Sequence, residues 1–181
     1  MSYLVIDVES TTSNKGNPFD ATNKLVMVGL RDTENHIFNI EHKEDLSPYG
    51  LSLCEIQRRI NEAKELVLFN GKFDLHWLRR YGIEIPFKAV WDVQSAHYIE
   101  VSQTETYPSL ESVSQFNDVG SKINSIKEDY WDKGIDTDEV PIEALRTYLE
   151  NDLELTEKCY LKQLAKIPEK KRKLIKLSGL D

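Results

Sequence analysis

Two carboxylates one residue apart, Asp7 and Glu9, close an apolar run that begins Tyr3-Leu4-Val5-Ile6. On a strand, residues i and i+2 project from the same face, so the two acids stand together. An ionised carboxylate in apolar surroundings is costly without a partner, and two like charges side by side repel. A cation between them removes both problems. Further acids fall in suggestive places. In "FNGKFD" Asn70 ends an apolar segment, and Asp74 falls in the first turn of the helix expected next, whose N-terminus is partially positive. In "YLEND" Tyr148 and Asp152 are four apart and share a helix face. Four carboxylates beside a phenol suit hard divalent cations, which take oxygen ligands.

The elements that position these residues are read from periodicity. Residues 3–8 are apolar and partly β-branched; "KLVMVGLRD" and "HIFNI" read as second and third strands, which predicts an antiparallel meander. The loop between the first two strands carries Gly16, Asn17 and Pro18, which mark turns rather than a free linker. In "SLCEIQRRINEA" Leu53, Ile56 and Ile60 recur at helical steps. "ELVLFN" is the fourth strand and runs into a helix "GKFDLHWLRRYG", with Phe73, Trp77 and Leu78 on one face and Gly82 as the stop. A strand "AVWD", helical stretches "VQSAHYIEV" and "SLESVSQF", and a long helix beginning near Pro141 complete the pattern. The layout is α/β, with a mixed five-stranded sheet flanked by helices.

Composition narrows the classes. The chain has 181 residues, of which 40% are hydrophobic, enough for a real core and against general disorder. A net charge of −8 argues against a protein that coats nucleic acid, but not against an enzyme that grips one strand end at a metal-neutralised site. No apolar run is long enough to span a bilayer and the N-terminus lacks the marks of a leader, so a soluble cytoplasmic chain without membrane partners is expected. Cys54 and Cys159 are expected as reduced thiols packed on helix faces. His36, His42, His76 and His97 stand alone, and Glu150, Glu154 and Glu157 are expected as surface charges. Residues 1–165 are expected to form the domain, with 166–181 a basic tail that begins a connection to something further.

Taken jointly, "DVE", "NGKFD" and "YLEND" resemble, in order and in element type, the three motifs of the DEDD exonucleases. The similarity covers about residues 3–160. The branch with tyrosine in the third motif is the one matched by Tyr148; the histidine of the other branch would fall at Thr147. The resemblance implies a ribonuclease H-like fold and a 3′-5′ exonuclease holding two divalent cations, Mg²⁺ or Mn²⁺, on Asp7, Glu9, Asp74 and Asp152. It further implies that Tyr148 orients the attacking water, and that Ser10, Asn70 and Phe73 touch the terminal nucleotide. Val8 and Ser10 fill the variable places of the first motif.

Within this branch the loop "NKGNPFDATNKL" looks like that of the proofreading domains of phage-type family A DNA polymerases. That implies single-stranded or frayed DNA 3′ ends as substrate, a polymerase domain on the same or another chain, and a monomer. Two other readings stand beside it: an RNA 3′-end trimming enzyme akin to ribonuclease D, and a non-catalytic docking or nucleic-acid-binding module that kept the fold.

Overall fold

A computed structural model of the chain describes residues 2–43, 48–85, 89–104, 107–123 and 125–178. Strands β1 (Tyr3–Ser10), β2 (Leu25–Arg31) and β3 (Asn35–Asn39) come first, followed by a short antiparallel pair, β4 (Glu41–His42) and β5 (Pro48–Tyr49). Helix α1 (Ser52–Glu62), strand β6 (Glu65–Leu68), helix α2 (Gly71–Arg80) and strand β7 (Ala89–Asp92) follow. Then come α3 (Val93–Glu100), α4 (Leu110–Asn117), α5 (Ser125–Asp129), α6 (Ile142–Lys166) and α7 (Glu169–Ser178). The main sheet has the order β3-β2-β1-β6-β7. Its first three strands form the expected antiparallel meander, while β6 and β7 run parallel to β1. The mixed five-stranded sheet is as expected; the β4–β5 pair carries only two residues a strand and left no periodicity to read.

Alternation along β1 divides the molecule. Leu4, Ile6 and Val8 face α1 and α2, in a core with Ile56, Ile60, Trp77 and Leu78. Val5 faces the other way, with Met27, Val67, Trp91 and the α6 residues Leu149, Leu153 and Tyr160. Asp7 and Glu9 follow Val5 on that second face, opposite Gly29 and Met27 of β2. Helix α6 extends 25 residues without a glycine or proline and starts directly after Pro141, whose fixed φ suits a helix start. It lies close on the sheet because Gly29 has no side chain. A Cβ there would stand 2.7 Å from Leu153 Cδ1 and 2.9 Å from Leu149 Cγ, nearer than side chains approach.

The basic segment expected as a tail is mostly helix α7, docked on the sheet. Ile175 is fully buried in the same core as Trp91, and Lys176 pairs with Glu65 of β6 at 2.7 Å. Arg172 donates to the carbonyls of Leu164 and Ile167 and so closes the C-terminus of α6. Glu157, expected as a surface charge, is buried; it accepts from Arg31 Nε at 2.6 Å and from Tyr3 Oη at 2.9 Å. Cys159 is buried and Cys54 is exposed, so only the first packs as expected; both are free thiols. No helix among the described residues is long and apolar enough to cross a membrane.

Candidate active site

Three elements converge where β1 ends. Glu9 on β1 is 8% exposed, Asp74 on α2 is 3%, and Asp152 on α6 is 4%, while Asp7 keeps a small opening to solvent. Tyr148 lies one turn before Asp152, 8% exposed, its ring edge-on to Trp131 with centroids 5.8 Å apart. Asp74 is delivered by the start of α2, which the sequence sets with some care. Asn70 takes a left-handed conformation (φ 58°, ψ 47°) that an Asn tolerates, and it caps nothing with its side chain. Gly71 follows because a Cβ there would lie 2.9 Å from Leu68 Cβ. Its N–H donates to Asp92 Oδ2 at 2.9 Å, and Asp92 Oδ1 accepts from Gln94 N and Ser95 N, so one carboxylate caps α2 and α3 together.

The acids perturb one another. Burial, then the Asp152 charge, pushes the Asp7 carboxyl up to about 7, against the pull of Lys122 and the Val8 N–H. Glu9 is raised well above the usual range by burial and by Asp7 and Asp152. Asp74 is also raised well above the usual range, by burial and by Asp7, Asp92 and Glu9. These causes tie all four carboxylates into one field. Two of their buried oxygens, Asp74 Oδ2 and Asp152 Oδ1, have no hydrogen-bond partner.

A residue outside the sequence reading holds the centre. Lys122 Nζ lies 2.6 Å from Asp152 Oδ2 and 2.9 Å from Tyr148 Oη, with the ammonium 4.9 Å above the Tyr148 ring. Burial opposes its charge, but Asp152 and Tyr148 outweigh that and raise its pKa. Burial, then Asp152, raises the Tyr148 phenol, so it stays protonated at neutral pH. Lys122 donates to the phenol oxygen, which leaves the phenol proton free to point at the Asp152 carboxylate. The lysine is fixed by its own N–H donating to Glu111 Oε2 at 2.6 Å and by Ile123 N donating to Asn151 Oδ1 at 3.0 Å. Lys122 belongs to the irregular chain between α4 and α5, where no periodicity or motif singles it out.

The expected substrate contacts lie on the rim. Phe73 is half-buried against the α1/α2 core, and its ring tip is 3.3 Å from where a Cβ on Gly16 would stand. Ser10 Oγ is 3.0 Å from the same point and donates to Thr11 O at 3.3 Å. Gly16 has φ 68°, so both its space and its backbone call for glycine. Its carbonyl accepts from Trp77 Nε1 at 3.1 Å, which fastens the β1–β2 loop to α2. Asn70 is exposed beside them. On the opposite flank Asp136 Oδ1 accepts from Thr12 N and Thr12 Oγ1 at 2.8 and 2.9 Å, holding the segment before α6 against the end of β1. The four histidines stay outside the carboxylate cluster: His42 bonds Tyr81 Oη, His36 bonds Asp32, His76 meets Phe19, and His97 packs edge-on to Phe116.

Among the described residues no three side chains close on one point as a finished metal shell. The donor set nevertheless fits hard divalent cations: it is all oxygen, its members raise one another's pKa, and two of its buried oxygens are orphaned. The Lys122 ammonium faces Asp7, Glu9 and Asp152 and offsets part of their negative charge.

Comparison with known proteins places the fold among nucleases and polymerases. No protein-family profile matches the chain. It is 24% identical over 196 residues to a DNA polymerase of Bacillus phage SP01, covering 95% of this chain and 21% of that one. The chain thus spans about a fifth of the polymerase it matches. Among solved structures, the apo form of a nuclease superposes with a TM-score of 0.70 at 14% identity, over 99% of this chain and 80% of that one. Brucella melitensis NrnC with bound Mg²⁺ gives 0.70 at 18% identity over the same shares. The family B DNA polymerase of Pyrobaculum calidifontis gives 0.63 at 18%, over 90% of this chain and 24% of that one. The fold is ribonuclease H-like. The likenesses to nucleases and polymerases are consistent with the DEDD exonuclease family.

Proposed function

We propose that the protein is a metal-dependent 3′-5′ exonuclease that removes nucleotides one at a time from single-stranded or frayed DNA ends, as in polymerase proofreading. The observation that carries this reading is the convergence of Asp7, Glu9, Asp74 and Asp152 with the protonated Tyr148 at the end of β1. Asp7, Glu9, Asp74 and Asp152 would hold two Mg²⁺ or Mn²⁺ ions, which when bound supply a strong nucleophile from water and charge stabilisation for the leaving oxygen. The chain's own groups do the rest. Tyr148 presents a neutral phenol to the reacting region, and Lys122 fixes its direction. Asn70 and Phe73, with Ser10 behind them, would receive the terminal nucleoside, the ring offering a face that any base can stack on. The DNA preference rests on the phage polymerase relative, and a polymerase domain on the same or another chain is the partner this reading implies. A short oligonucleotide is the second reading. It is favoured by the likeness to Brucella melitensis NrnC, one structure of which holds pGG.

The test is digestion of matched 5′-labelled single-stranded DNA and RNA and of labelled dinucleotides with Mg²⁺, with Mn²⁺ and with chelator, comparing wild type and Asp7→Asn. A descending DNA ladder that needs metal and vanishes in the variant is expected. Preference for RNA or for dinucleotides moves the protein to the second reading, and no cleavage under any metal refutes both.

A further inference from the structure

The chain is acidic, yet one helix face beside the carboxylate cluster is basic. On α2, Lys72, His76, Arg79 and Arg80 follow one another at helical spacing on the outward side, away from the buried Asp74, Leu75 and Leu78. Lys72 and Arg79 are exposed and, like Lys15 in the adjoining loop, pair with no carboxylate among the described residues. That contrasts with α1, where Arg58 and Arg59 are both matched by Glu55. Among the described residues Arg80 donates to backbone alone, the carbonyls of Pro18 and Asp20 at 3.0 and 2.9 Å, with its guanidinium 5.0 Å over Trp77. The nearby acid, Asp20, is held by Thr22 N and Oγ1.

An aromatic ring stands in the same strip. Phe19 is 78% exposed, an expensive place for a phenylalanine, and it is not loose: its ring meets His76 edge-on at 5.3 Å. The loop bearing it is clamped to α2 from both ends, by Trp77 to Gly16 and by Arg80 to Pro18 and Asp20. The strip is continuous with the rim of the site, since Gly16 lies against both Phe73 and Ser10. Unmatched cations beside a held, exposed aromatic ring are the combination that binds single-stranded nucleic acid without sequence preference: charge follows the phosphates and the ring stacks on a base. A charge run is usually a solvated face; the fixed, exposed phenylalanine is what distinguishes this one.

We propose that the outer face of α2 and the Phe19 loop form the track for the single strand leading into the site, with Lys72 and Arg79 facing its phosphates and Phe19 stacking on a base. The proposal rests on the nuclease reading only for what happens at the end of that strand. The test is fluorescence anisotropy of 5′-fluorescein-(dT)₁₂ in chelator, so that nothing is cut, across a series of KCl concentrations. The double variant K72E/R79E is expected to weaken binding about tenfold or more at low salt and to lower the salt slope by about 1.4, from roughly 0.7 per single-strand phosphate. Phe19→Ala is expected to weaken binding about five- to tenfold with the slope unchanged, because stacking releases no ions. K170E/K173E, on α7, is the charge-matched control and is expected to bind like wild type. Folding of each variant is checked by its thermal midpoint. Wild-type binding by K72E/R79E, equal loss in the control, or no binding of (dT)₁₂ by wild type overturns the track. Salt-dependent binding along this face, with no cleavage of thymidine 5′-monophosphate p-nitrophenyl ester by wild type in Mn²⁺, supports the track and refutes the hydrolase instead.

Discussion

Replacing Asp7 with Asn removes one charge from the crowded cluster and is expected to stabilise the protein while ending its activity. In the folded chain the Asp7 carboxyl sits at about 7, against 3.8 unperturbed, because of burial and then the Asp152 charge. The folded state therefore keeps a proton that the unfolded chain gives up. Stability is greatest below the unfolded value and falls as pH rises through the folded one, so the loss runs from about pH 4 to about pH 7. At pH 8 the displacement corresponds to at most about 4 kcal/mol. Asp7 is partly open to water and faces Lys122, so about 1–3 kcal/mol is expected, or roughly 2–10 °C in thermal midpoint for a chain of this size. Asn retains the acceptor for the Val8 N–H, 3.1 Å away in the wild type, so little else is lost. The assay is thermal unfolding of both proteins in chelator from pH 4 to pH 8. The wild-type midpoint falls with pH and the variant's curve is flatter and higher at pH 8. Saturating Mg²⁺ at pH 8 reverses the order, since an ion bound at a hundred times its dissociation constant adds about 2.7 kcal/mol to the wild type. A flat wild-type profile in chelator, or a variant no more stable at pH 8, refutes the account of a strained acid cluster.

Three further outcomes follow from single contacts. Lys122→Ala leaves the Tyr148 hydroxyl and Asp152 Oδ2 without their fixed donor, and should lower kcat about 10- to 100-fold and raise KM as the site loses a positive charge, measured on single-stranded DNA. Gly29→Val forces a side chain into Leu149 and Leu153; a loss of about 1–3 kcal/mol in urea unfolding is expected, with reduced activity because α6 carries Asp152. Asp92→Ala uncaps two helices at once and should cost about 1–4 kcal/mol, with urea unfolding as the check, whereas Asp92→Asn should recover part of it.

How much of this was legible depended on whether a residue belongs to a repeating element. The strands and helices that carry Asp7, Glu9, Asp74 and Asp152 announce themselves by period two or by steps of three and four, and the acids stand at fixed places on them. Their same-side projection follows from strand and helix geometry alone. Lys122, Trp131 and Asp136 lie in the chain between α4 and α6, where short turns and one-turn helices follow no period. Their roles come from long-range bonds, such as Asp136 to Thr12 across 124 residues, which a local reading has no means to pair. Asp92 was visible as the end of a strand, but its double capping role needs β7 beside β6, a tertiary fact. The basic terminal segment read as a tail for a related reason. Its charges hide Ile175, a single fully buried contact, and the pairing of Lys176 with Glu65 lies over a hundred residues back along the chain.

Charge arithmetic explains why a lysine belongs at a site made of acids. Four ionised carboxylates and one ammonium sum to three negative charges, and burial first and this mutual repulsion second make Asp7, Glu9 and Asp74 hold their protons more tightly than usual. Two divalent cations would turn that sum to one positive charge, and one phosphodiester linkage would bring it to zero. On this count the cluster is balanced only when metal and substrate are both present, so each favours the other. Without Lys122 the same sum ends at one negative charge with substrate bound, and the phosphodiester loses its excess of attraction. Lys122→Ala should therefore bind Mg²⁺ at least as tightly as wild type in calorimetry while cutting slowly. A parallel loss of metal affinity would show that the lysine shapes the carboxylates rather than balancing them.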